Sequence, residues 1–184
     1  EIINAIRQAT GTSTEALNLH EPTLSQLEID EVKKCIKSGW ISYNSPTVNK
    51  FEKILADYCG VAYAVCVSSG TSALQIALVV AGVKPNDEVL VPNITFIATA
   101  NAVKYCGAVP NLADVEASNF NLDPKKLSQY LKDISVIKDG VTYNKTTGRR
   151  ISAILPVHIF GCSARMDELI EVAHEWNLKL VEDA

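Results

Sequence analysis

The residues best suited to chemistry in this chain stand where an apolar run gives way to a helical pattern. Residues 68–72 read Ser-Ser-Gly-Thr-Ser between such a run and a predicted helix. The N–H groups of a first helical turn, joined by the Thr71 and Ser72 hydroxyls, suit a phosphate, and Gly70 permits a tight turn. An ordinary serine helix cap explains the same residues equally well. The spacing matches neither a Walker A loop nor a dinucleotide fingerprint.

Three further side chains follow apolar runs in the same way. Phe96 comes just past a predicted strand end, in the first turn of the next helix, where an aromatic ring stacks on a planar ligand or fills the core. Asp183 ends an apolar strand, where an unpaired carboxylate is costly to bury. A protonated pyridine nitrogen would offset that cost, and so would a lysine or arginine from elsewhere. His158 is either a ligand contact or a hydrogen-bonded structural histidine.

A phosphate cradle, a stacking aromatic and a carboxylate are together what pyridoxal 5′-phosphate (PLP) requires. One group binds its phosphate, one its face and one its ring nitrogen, which must stay protonated for the ring to accept electrons. We therefore predict that Gly70, Thr71, Ser72, Phe96 and Asp183 bind this cofactor.

Alternating apolar runs and helical patterns indicate the framework that positions these residues. Because most of the runs are continuous, we expect an α/β fold with a mainly parallel sheet sandwiched by helices. In such a sheet, ligands bind beyond the carboxyl ends of the strands, where the candidate residues fall. The predicted strands span residues 62–69, 88–93, 108–115, 151–158 and 178–183, and the predicted helices span 24–36, 48–60, 71–82, 94–107, 123–131 and 166–177.

Two segments stand outside this alternation. Residues 1–60 are predicted to form an N-terminal arm and helices, ahead of a large domain over 61–184. Residues 139–150 carry β-forming residues around a Lys-Thr-Thr-Gly turn and predict an exposed, inserted hairpin. Its Arg149 and Arg150 would suit an anionic substrate, although a solvated hairpin tip is the simpler interpretation.

Composition argues against several classes of protein. Of the 184 residues, 47% are hydrophobic and 21% are charged, as in ordinary globular domains. The net charge of −4 argues against a nucleic-acid binder, and no run of about 18 apolar residues suits a membrane span. The N-terminal residues lack the pattern of a signal peptide. The five cysteines lack metal-ligand spacing and are expected to be reduced core thiols, which predicts a cytoplasmic protein with no metal site. A catalytic cysteine is the less favoured alternative.

The order and spacing of several motifs resemble the sugar aminotransferases of the DegT/DnrJ/EryC1/StrS family, which have the aspartate aminotransferase-like fold, PLP fold type I. The resemblance extends from about His20 to Ala184. The matching stretches are SGWIS (38–42), FEKILADYCG (51–60), SSGTSALQIAL (68–78), DEVLVPNITFIATANAV (87–103), GAVPNLADV (107–115), PVHIFGCSARMDEL (156–169) and VEDA (181–184).

The resemblance implies roles for the cofactor residues. By position, Thr71 and Ser72 should bind the phosphate of PLP, and Phe96 should stack on the pyridine ring. Asp183, within the Glu-Asp-Ala sequence, should pair with the ring nitrogen.

The resemblance also implies substrate contacts. Residues 39–42 resemble the family segment near the sugar-nucleotide end of the site, which makes Trp40 and Ile41 substrate candidates together with His158. Packing of Trp40 against the preceding helix is an equal alternative.

The family lysine that forms the Schiff base with PLP follows the Glu-Asp-Ala sequence further along the chain. We therefore expect this lysine, and a small C-terminal domain, beyond Ala184, and name no catalytic residue within the chain. The family also implies a homodimer with sites at the subunit interface.

The implied reaction moves an amino group from glutamate, which leaves as 2-oxoglutarate, to a nucleotide-linked keto-6-deoxy sugar, with C4 as the expected position. Such a reaction belongs to amino-sugar and surface-polysaccharide biosynthesis. The insertion TYNKTTGRRISAI (142–154) resembles members that act in legionaminic-acid pathways. Two alternatives stay open: a PLP-dependent sugar 3-dehydratase, with histidine in place of the lysine, and a catalytically silent regulatory relative. A simple nucleotide-binding domain is disfavoured by the missing glycine fingerprint.

Overall fold

The computed structural model describes residues 1–11 and 22–184, which form two compact units, Glu1–Val65 and Cys66–Ala184. His20, where the family resemblance is expected to begin, lies outside the described residues. Among the described residues, no helix combines the length and the apolar character that crossing a membrane requires.

The first unit is helical, with α1 (Ile2–Thr10), α2 (Gln26–Ser38) and α3 (Pro46–Cys59). Ser25 caps the start of α2 reciprocally with Glu28, and these hydrogen bonds hold the pKa of Glu28 below its usual range. Ser45 caps α3 ahead of its first residue, a proline. Gly39 and Gly60 end the two helices in the left-handed region. The predicted helices 24–36 and 48–60 are thus confirmed, with small shifts at their ends.

The second unit is built on a four-stranded parallel sheet whose strand order is β2-β1-β5-β6. Glu88 pairs with both Val109 and Ile151, so β1 is flanked by parallel strands on both sides; its register with β2 is regular, and its register with β5 shifts by one residue between Glu88 and Val89. The elements of this unit are α4 (Gly70–Val80), β1 (Glu88–Pro92), α5 (Ile97–Tyr105), β2 (Val109–Ala113), α6 (Pro124–Ile134), β3 (Ser135–Lys138), β4 (Val141–Asn144), β5 (Ile151–Ile154), a 3₁₀ turn (Ile159–Gly161), α7 (Met166–Glu175) and β6 (Lys179–Leu180).

Helices cover both faces of this sheet. Successive strand residues point to opposite faces, so Leu90 joins one apolar cluster while Val89 and Val91 join the other. The first cluster includes Leu127 of α6 and Leu169 of α7, and the second includes residues of α4 and α5. The three β1 residues are fully buried. The predicted α/β architecture with a sandwiched parallel sheet is therefore confirmed.

The predicted first strand, residues 62–69, is wrong. This segment forms no strand, and most of its residues are exposed. A strand exists only where a neighbouring strand takes up its backbone N–H and C=O groups, and none of the described strands pairs with residues 62–69. The parallel sheet of the described residues therefore has four strands instead of five. The segment is rich in apolar residues, as a strand would be, but apolar character alone does not supply a partner strand.

The inserted hairpin exists, but its turn differs from the prediction. β3 and β4 pair antiparallel from Ser135↔Asn144 to Lys138↔Val141, so Asp139 and Gly140 make the hairpin turn. The Lys-Thr-Thr-Gly sequence forms a second turn, which returns the chain to an isolated bridge between Tyr143 and Arg150. Asp139 (φ 51°) and Gly140 (φ 76°) both have positive φ, as an Asp-Gly hairpin turn requires.

The insertion is fastened to the amino-terminal edge of the sheet by acidic residues at the start of β1. Arg150 donates to both carboxylate oxygens of Asp87 and to the Gly82 carbonyl oxygen. Glu88 is 3% exposed, and its carboxylate accepts hydrogen bonds from Asn111, Asn144 and Thr147 at 2.9, 2.9 and 2.6 Å. Arg150 therefore serves the fold, which contradicts both the anionic-substrate interpretation and the solvated-tip interpretation of that residue.

Replacing Arg150 by methionine should lower the stability of the protein. The change leaves the Asp87 carboxylate, which is 6% exposed, without its cation, and we expect the free energy of unfolding to fall by about 2–3 kcal/mol. Urea denaturation of the full-length protein measures the effect. Lys138→Met, an exposed lysine of the same hairpin, is the control, and equal losses in the two variants would contradict this role for Arg150.

Candidate active site at the carboxyl edge of the sheet

The start of α4 leaves backbone donors free for a ligand. The Ser69 side chain caps the helix by accepting from the Ser72 N–H at 3.2 Å. The Ser72 hydroxyl is in turn within 3.3 and 3.1 Å of the Ser68 and Ser69 hydroxyls. Within the described residues, the Gly70 and Thr71 N–H groups and the Thr71 hydroxyl have no partner. The serine cap and the phosphate cradle are therefore compatible, because the cap uses one donor and leaves two.

Gly70 does not make the predicted tight turn. It is the first residue of α4 and is absent from the glycines with positive φ, so its backbone would accept other residues. A Cβ atom built at Gly70 would meet no atom within 4 Å. The glycine therefore keeps the space before the helix N-terminus open, which suits the approach of a phosphate.

The first turn of α4 points toward the carboxyl edge of the sheet. Gly82, just beyond the end of α4, is bonded to Arg150 at the amino edge. The 11 residues of α4 extend about 16 Å, about the length of the five-residue strand β1 on which the helix packs. The free N–H groups of Gly70 and Thr71 therefore lie toward the edge where β1, β5 and β6 end.

Phe96 lies just before α5 instead of in the first turn of that helix. α5 begins at Ile97 instead of residue 94, and Phe96 is its N-cap residue with an extended backbone. Residues 93–96 leave β1 and turn before the helix starts, which is why the helical pattern overestimated the length of α5. The ring is 77% exposed, so Phe96 is not a core residue and is available to stack on a planar ligand.

Asp183 is held at the end of the sheet by its backbone and by one side chain. Its N–H donates to the Pro156 carbonyl oxygen and its own carbonyl oxygen accepts from the His158 N–H, both at 3.0 Å. The Thr99 hydroxyl donates to the Asp183 carboxylate at 2.6 Å. Thr99 lies in the first turn of α5, and that helix begins directly after Phe96. The hydrogen bond from Thr99 therefore brings Phe96 and Asp183, two of the predicted cofactor residues, to the same edge of the sheet.

The cations near this edge are engaged elsewhere. Lys126 donates to Asp114 at 2.6 Å, and this hydrogen bond holds the pKa of Asp114 below its usual range. The Arg165 guanidinium lies 3.0 Å from the Glu168 carboxylate and 2.6 Å from the Glu116 carboxylate. The contact with Glu116 is an ion pair whose atoms are not aligned for a hydrogen bond. Among the described residues, no lysine, arginine or histidine forms an ion pair with Asp183.

The site residues fit PLP. The two free N–H groups and the Thr71 hydroxyl provide donors for a phosphate, and the Asp183 carboxylate has an oxygen and a negative charge available for a cationic ring nitrogen. The exposed Phe96 ring lies in the same loop-to-helix connection that carries Thr99.

His158 is fully hydrogen-bonded within the structure. Its Nδ1 accepts from the Ala164 N–H at 3.0 Å, so the proton of the neutral ring is on Nε2, which lies 3.1 Å from Glu182. This agrees with the structural interpretation of His158. Its role as a substrate contact stays a prediction.

Asn121 braces the loop that follows β5, and sequence reasoning missed it. Its side chain, 1% exposed, donates to the Cys162 carbonyl oxygen at 3.0 Å and accepts from the Ile159 N–H at 3.2 Å. The braced loop and the loop after β2 each place a phenylalanine in the left-handed region, Phe160 (φ 54°) and Phe120 (φ 61°), with their rings in edge-to-face contact. Strained backbone of this kind persists only where the surroundings hold it.

Trp40 and Ile41 belong to the first unit, and their side chains are 53% and 79% exposed. Trp40 is therefore not a core residue, and its packing against the preceding helix stays an open alternative. Their contact with substrate stays a prediction.

The cysteines do not form the predicted core thiols. All five are free, but none is buried, because the apolar segments that flank several of them lie at the surface. Partial burial raises the pKa of the Cys106 thiol, which disfavours a nucleophilic thiolate at that position.

The fold and the residues at this edge fit a PLP fold type I protein, and comparison with known proteins supports that fold class. Residues 22–184 match the DegT/DnrJ/EryC1/StrS aminotransferase family, and the chain belongs to that family. The predicted membership is therefore confirmed.

Two curated relatives and one solved structure illustrate the similarity. GDP-perosamine synthase of Caulobacter vibrioides is 41% identical over 168 residues, which cover 91% of this chain and 41% of that protein. UDP-4-amino-4-deoxy-L-arabinose–oxoglutarate aminotransferase of Shewanella sediminis is 30% identical over 172 residues, covering 94% and 40%. A DegT/DnrJ/EryC1/StrS aminotransferase from Brucella abortus superposes with a TM-score of 0.75 at 27% identity, covering 99% and 42%. The chain thus spans about two fifths of the length of the curated relatives.

Replacing Asn121 by alanine should loosen the loop after β5. The variant leaves the Ile159 N–H and the Cys162 carbonyl without their partner, and we expect amide exchange at Ile159 to accelerate roughly tenfold or more. Hydrogen exchange on the full-length protein measures this. Asn144→Ala, which removes a buried asparagine at the opposite edge, should leave Ile159 unchanged. Unchanged exchange in Asn121→Ala would refute the brace.

Proposed function

We propose that the full protein is a PLP-dependent aminotransferase that moves an amino group from glutamate to a nucleotide-linked keto-6-deoxy sugar. The expected position on the sugar is C4, and the setting is amino-sugar and surface-polysaccharide biosynthesis in the cytoplasm. Family membership supports the aminotransferase class, and the names of the two curated relatives, which include a GDP-sugar and a UDP-sugar, support a nucleotide-sugar substrate. The name of the second relative includes oxoglutarate, the compound that remains when glutamate gives up its amino group, and this supports glutamate as the amino donor.

The proposal rests on the surroundings of the Asp183 carboxylate. Asp183 is a carboxylate without an ion pair among the described residues, tied by Thr99 to the turn that carries the exposed Phe96. A partly buried charge without a cation is costly, and a cationic pyridine ring offsets that cost. A purely structural aspartate at this position would be expected to pair with a lysine or arginine.

The residues of this chain divide the work of holding the cofactor. The Gly70 and Thr71 N–H groups, with the Thr71 and Ser72 hydroxyls, bind the phosphate at the N-terminus of α4. Phe96 orients the ring by stacking, and Asp183 keeps the ring nitrogen protonated. PLP, when bound, supplies an electron sink for the carbanion that forms during amino transfer. The lysine expected beyond Ala184 moves the proton in both halves of the reaction.

The substrate contacts and the homodimer are proposed from the family resemblance. Trp40, Ile41 and His158 are proposed to contact the sugar nucleotide on the strength of the family resemblance alone. A homodimer is proposed on the same ground. The legionaminic-acid subgroup is proposed from the insertion that includes β4, although its side chains Asn144, Thr147 and Arg150 are bonded to the amino edge of the sheet, away from the carboxyl edge.

Asp183→Asn should abolish most of the amino transfer. The amide carries no charge to keep the ring nitrogen protonated, and we expect the single-turnover rate of 2-oxoglutarate formation from glutamate to fall roughly a hundredfold or more. This half-reaction requires no knowledge of the sugar. It is measured on the full-length protein loaded with PLP.

Asp167→Asn is the matched control, because Asp167 is an exposed aspartate at the start of α7. Its rate should equal that of the wild type. A near-normal rate in Asp183→Asn would overturn the assignment of Asp183. A wild-type protein that binds PLP but releases no 2-oxoglutarate would contradict the aminotransferase proposal and favour the dehydratase or the silent relative.

A further inference from the structure

Two threonines at the start of α5 form a hydroxyl chain that ends on Asp183. The Thr99 side chain is 0% exposed, and its Oγ1 donates to Asp183 Oδ2 at 2.6 Å across 84 positions of sequence. The Thr95 Oγ1 lies 2.7 Å from the same Thr99 oxygen. The spacing of Thr95 and Thr99 in the sequence does not indicate this contact with Asp183.

The chemistry of the hydroxyl group fixes the direction of this chain. A hydroxyl carries one hydrogen, and Thr99 gives it to the carboxylate. Thr99 therefore accepts from Thr95, so that the hydrogen bonds run from Thr95 to Thr99 to Asp183. An ionised carboxylate is an acceptor only, which makes it the natural end of such a chain. Oδ2 is thereby occupied, whereas Oδ1 has no partner among the described residues.

The Thr99 hydrogen bond is what sets the plane of the Asp183 carboxylate. The Asp183 backbone is fixed by its bonds to Pro156 and His158, but these bonds do not restrain the terminal torsion of the side chain. That torsion is broad and roughly two-fold in aspartate. A short charge-assisted hydrogen bond from a fully buried donor selects one orientation of it.

We infer that Thr99, supported by Thr95, is a positioning residue that orients Asp183 toward the ring nitrogen of PLP and so sets how tightly the protein holds this cofactor, an inference that rests on the proposed function. Thr99 touches neither the cofactor nor the reacting atoms in this role. It acts through Asp183 alone, and its effect depends on the presence of a ring nitrogen.

The test is the affinity of the full-length apoprotein for PLP, measured by equilibrium dialysis. Thr99→Val keeps the shape of the side chain and removes the hydroxyl. We expect the Kd for PLP to rise roughly tenfold, the loss of one charge-assisted hydrogen bond. The Kd for a PLP analogue with carbon in place of the ring nitrogen should not change, because this analogue gives Asp183 nothing to bind.

Three further variants separate positioning from structural damage. Thr99→Ser restores the hydroxyl and should restore most of the affinity. Thr95→Val leaves the Thr99–Asp183 bond in place and should raise the Kd by a smaller factor. Thr142→Val removes a different buried hydroxyl, which donates to the Trp176 carbonyl oxygen, and should lower stability without changing the affinity for PLP.

The outcomes are distinguishable. Equal loss of affinity for PLP and for the nitrogen-free analogue in Thr99→Val would show general damage to the site and overturn the inference. Unchanged PLP affinity in Thr99→Val would overturn it as well. A wild-type protein that binds neither compound would instead overturn the proposed function.

Discussion

The parallel pairing of β1 with both β2 and β5 is the constraint on which the rest of this structure depends. Parallel strands must all end at the same edge, so the connections that follow them meet there whatever their order in the chain. Phe96 follows β1, Asn121 lies in the loop after β2, His158 follows β5 and Asp183 follows β6. The hydrogen bonds between Thr99 and Asp183, and between Asn121 and Ile159, are consequences of that shared edge.

The two edges of the sheet carry polar groups for different purposes. At the amino edge, the carboxylates of Asp87 and Glu88 are satisfied by Arg150 and by the side chains of the inserted hairpin. At the carboxyl edge, Asp183 has a single hydroxyl donor and no ion pair among the described residues. A carboxylate that is bonded to a cation or to several donors stabilises the fold, whereas one that is held in place with an oxygen still free is suited to a ligand. The difference between the edges is the physical basis for placing the cofactor at one of them.

Much of the fold was predictable from the sequence, for reasons that individual elements make clear. The buried runs around Val89–Val91 and Ile151–Ile154 are continuous because both faces of a parallel strand are covered, and they were predicted correctly. Asp123, followed by proline, marks the start of α6 and does cap it. Residues 62–69 carry the same apolar signal but have no paired strand among the described residues, and a sequence pattern does not report pairing.

The sequence indicates the groups that we propose to face the ligand, but it does not indicate the residues that hold them. A hydroxyl-rich helix start and a carboxylate after a strand are local patterns, so Thr71, Ser72 and Asp183 could be proposed as cofactor-binding residues from the sequence. Thr99 and Asn121 act across long separations in the chain, on Asp183 and on the loop after β5, and no local spacing indicates such partners. The ion pair of Arg150 with Asp87 was missed for the same reason.

A crystal structure of the full-length protein with PLP bound would test whether the cofactor lies at the carboxyl edge of the sheet. We expect the phosphate within about 3 Å of the Gly70 and Thr71 N–H groups, and the free oxygen of Asp183 within about 3 Å of the ring nitrogen. A phosphate bound away from the N-terminus of α4, or an Asp183 paired with a lysine or arginine instead of the ring, would contradict this placement.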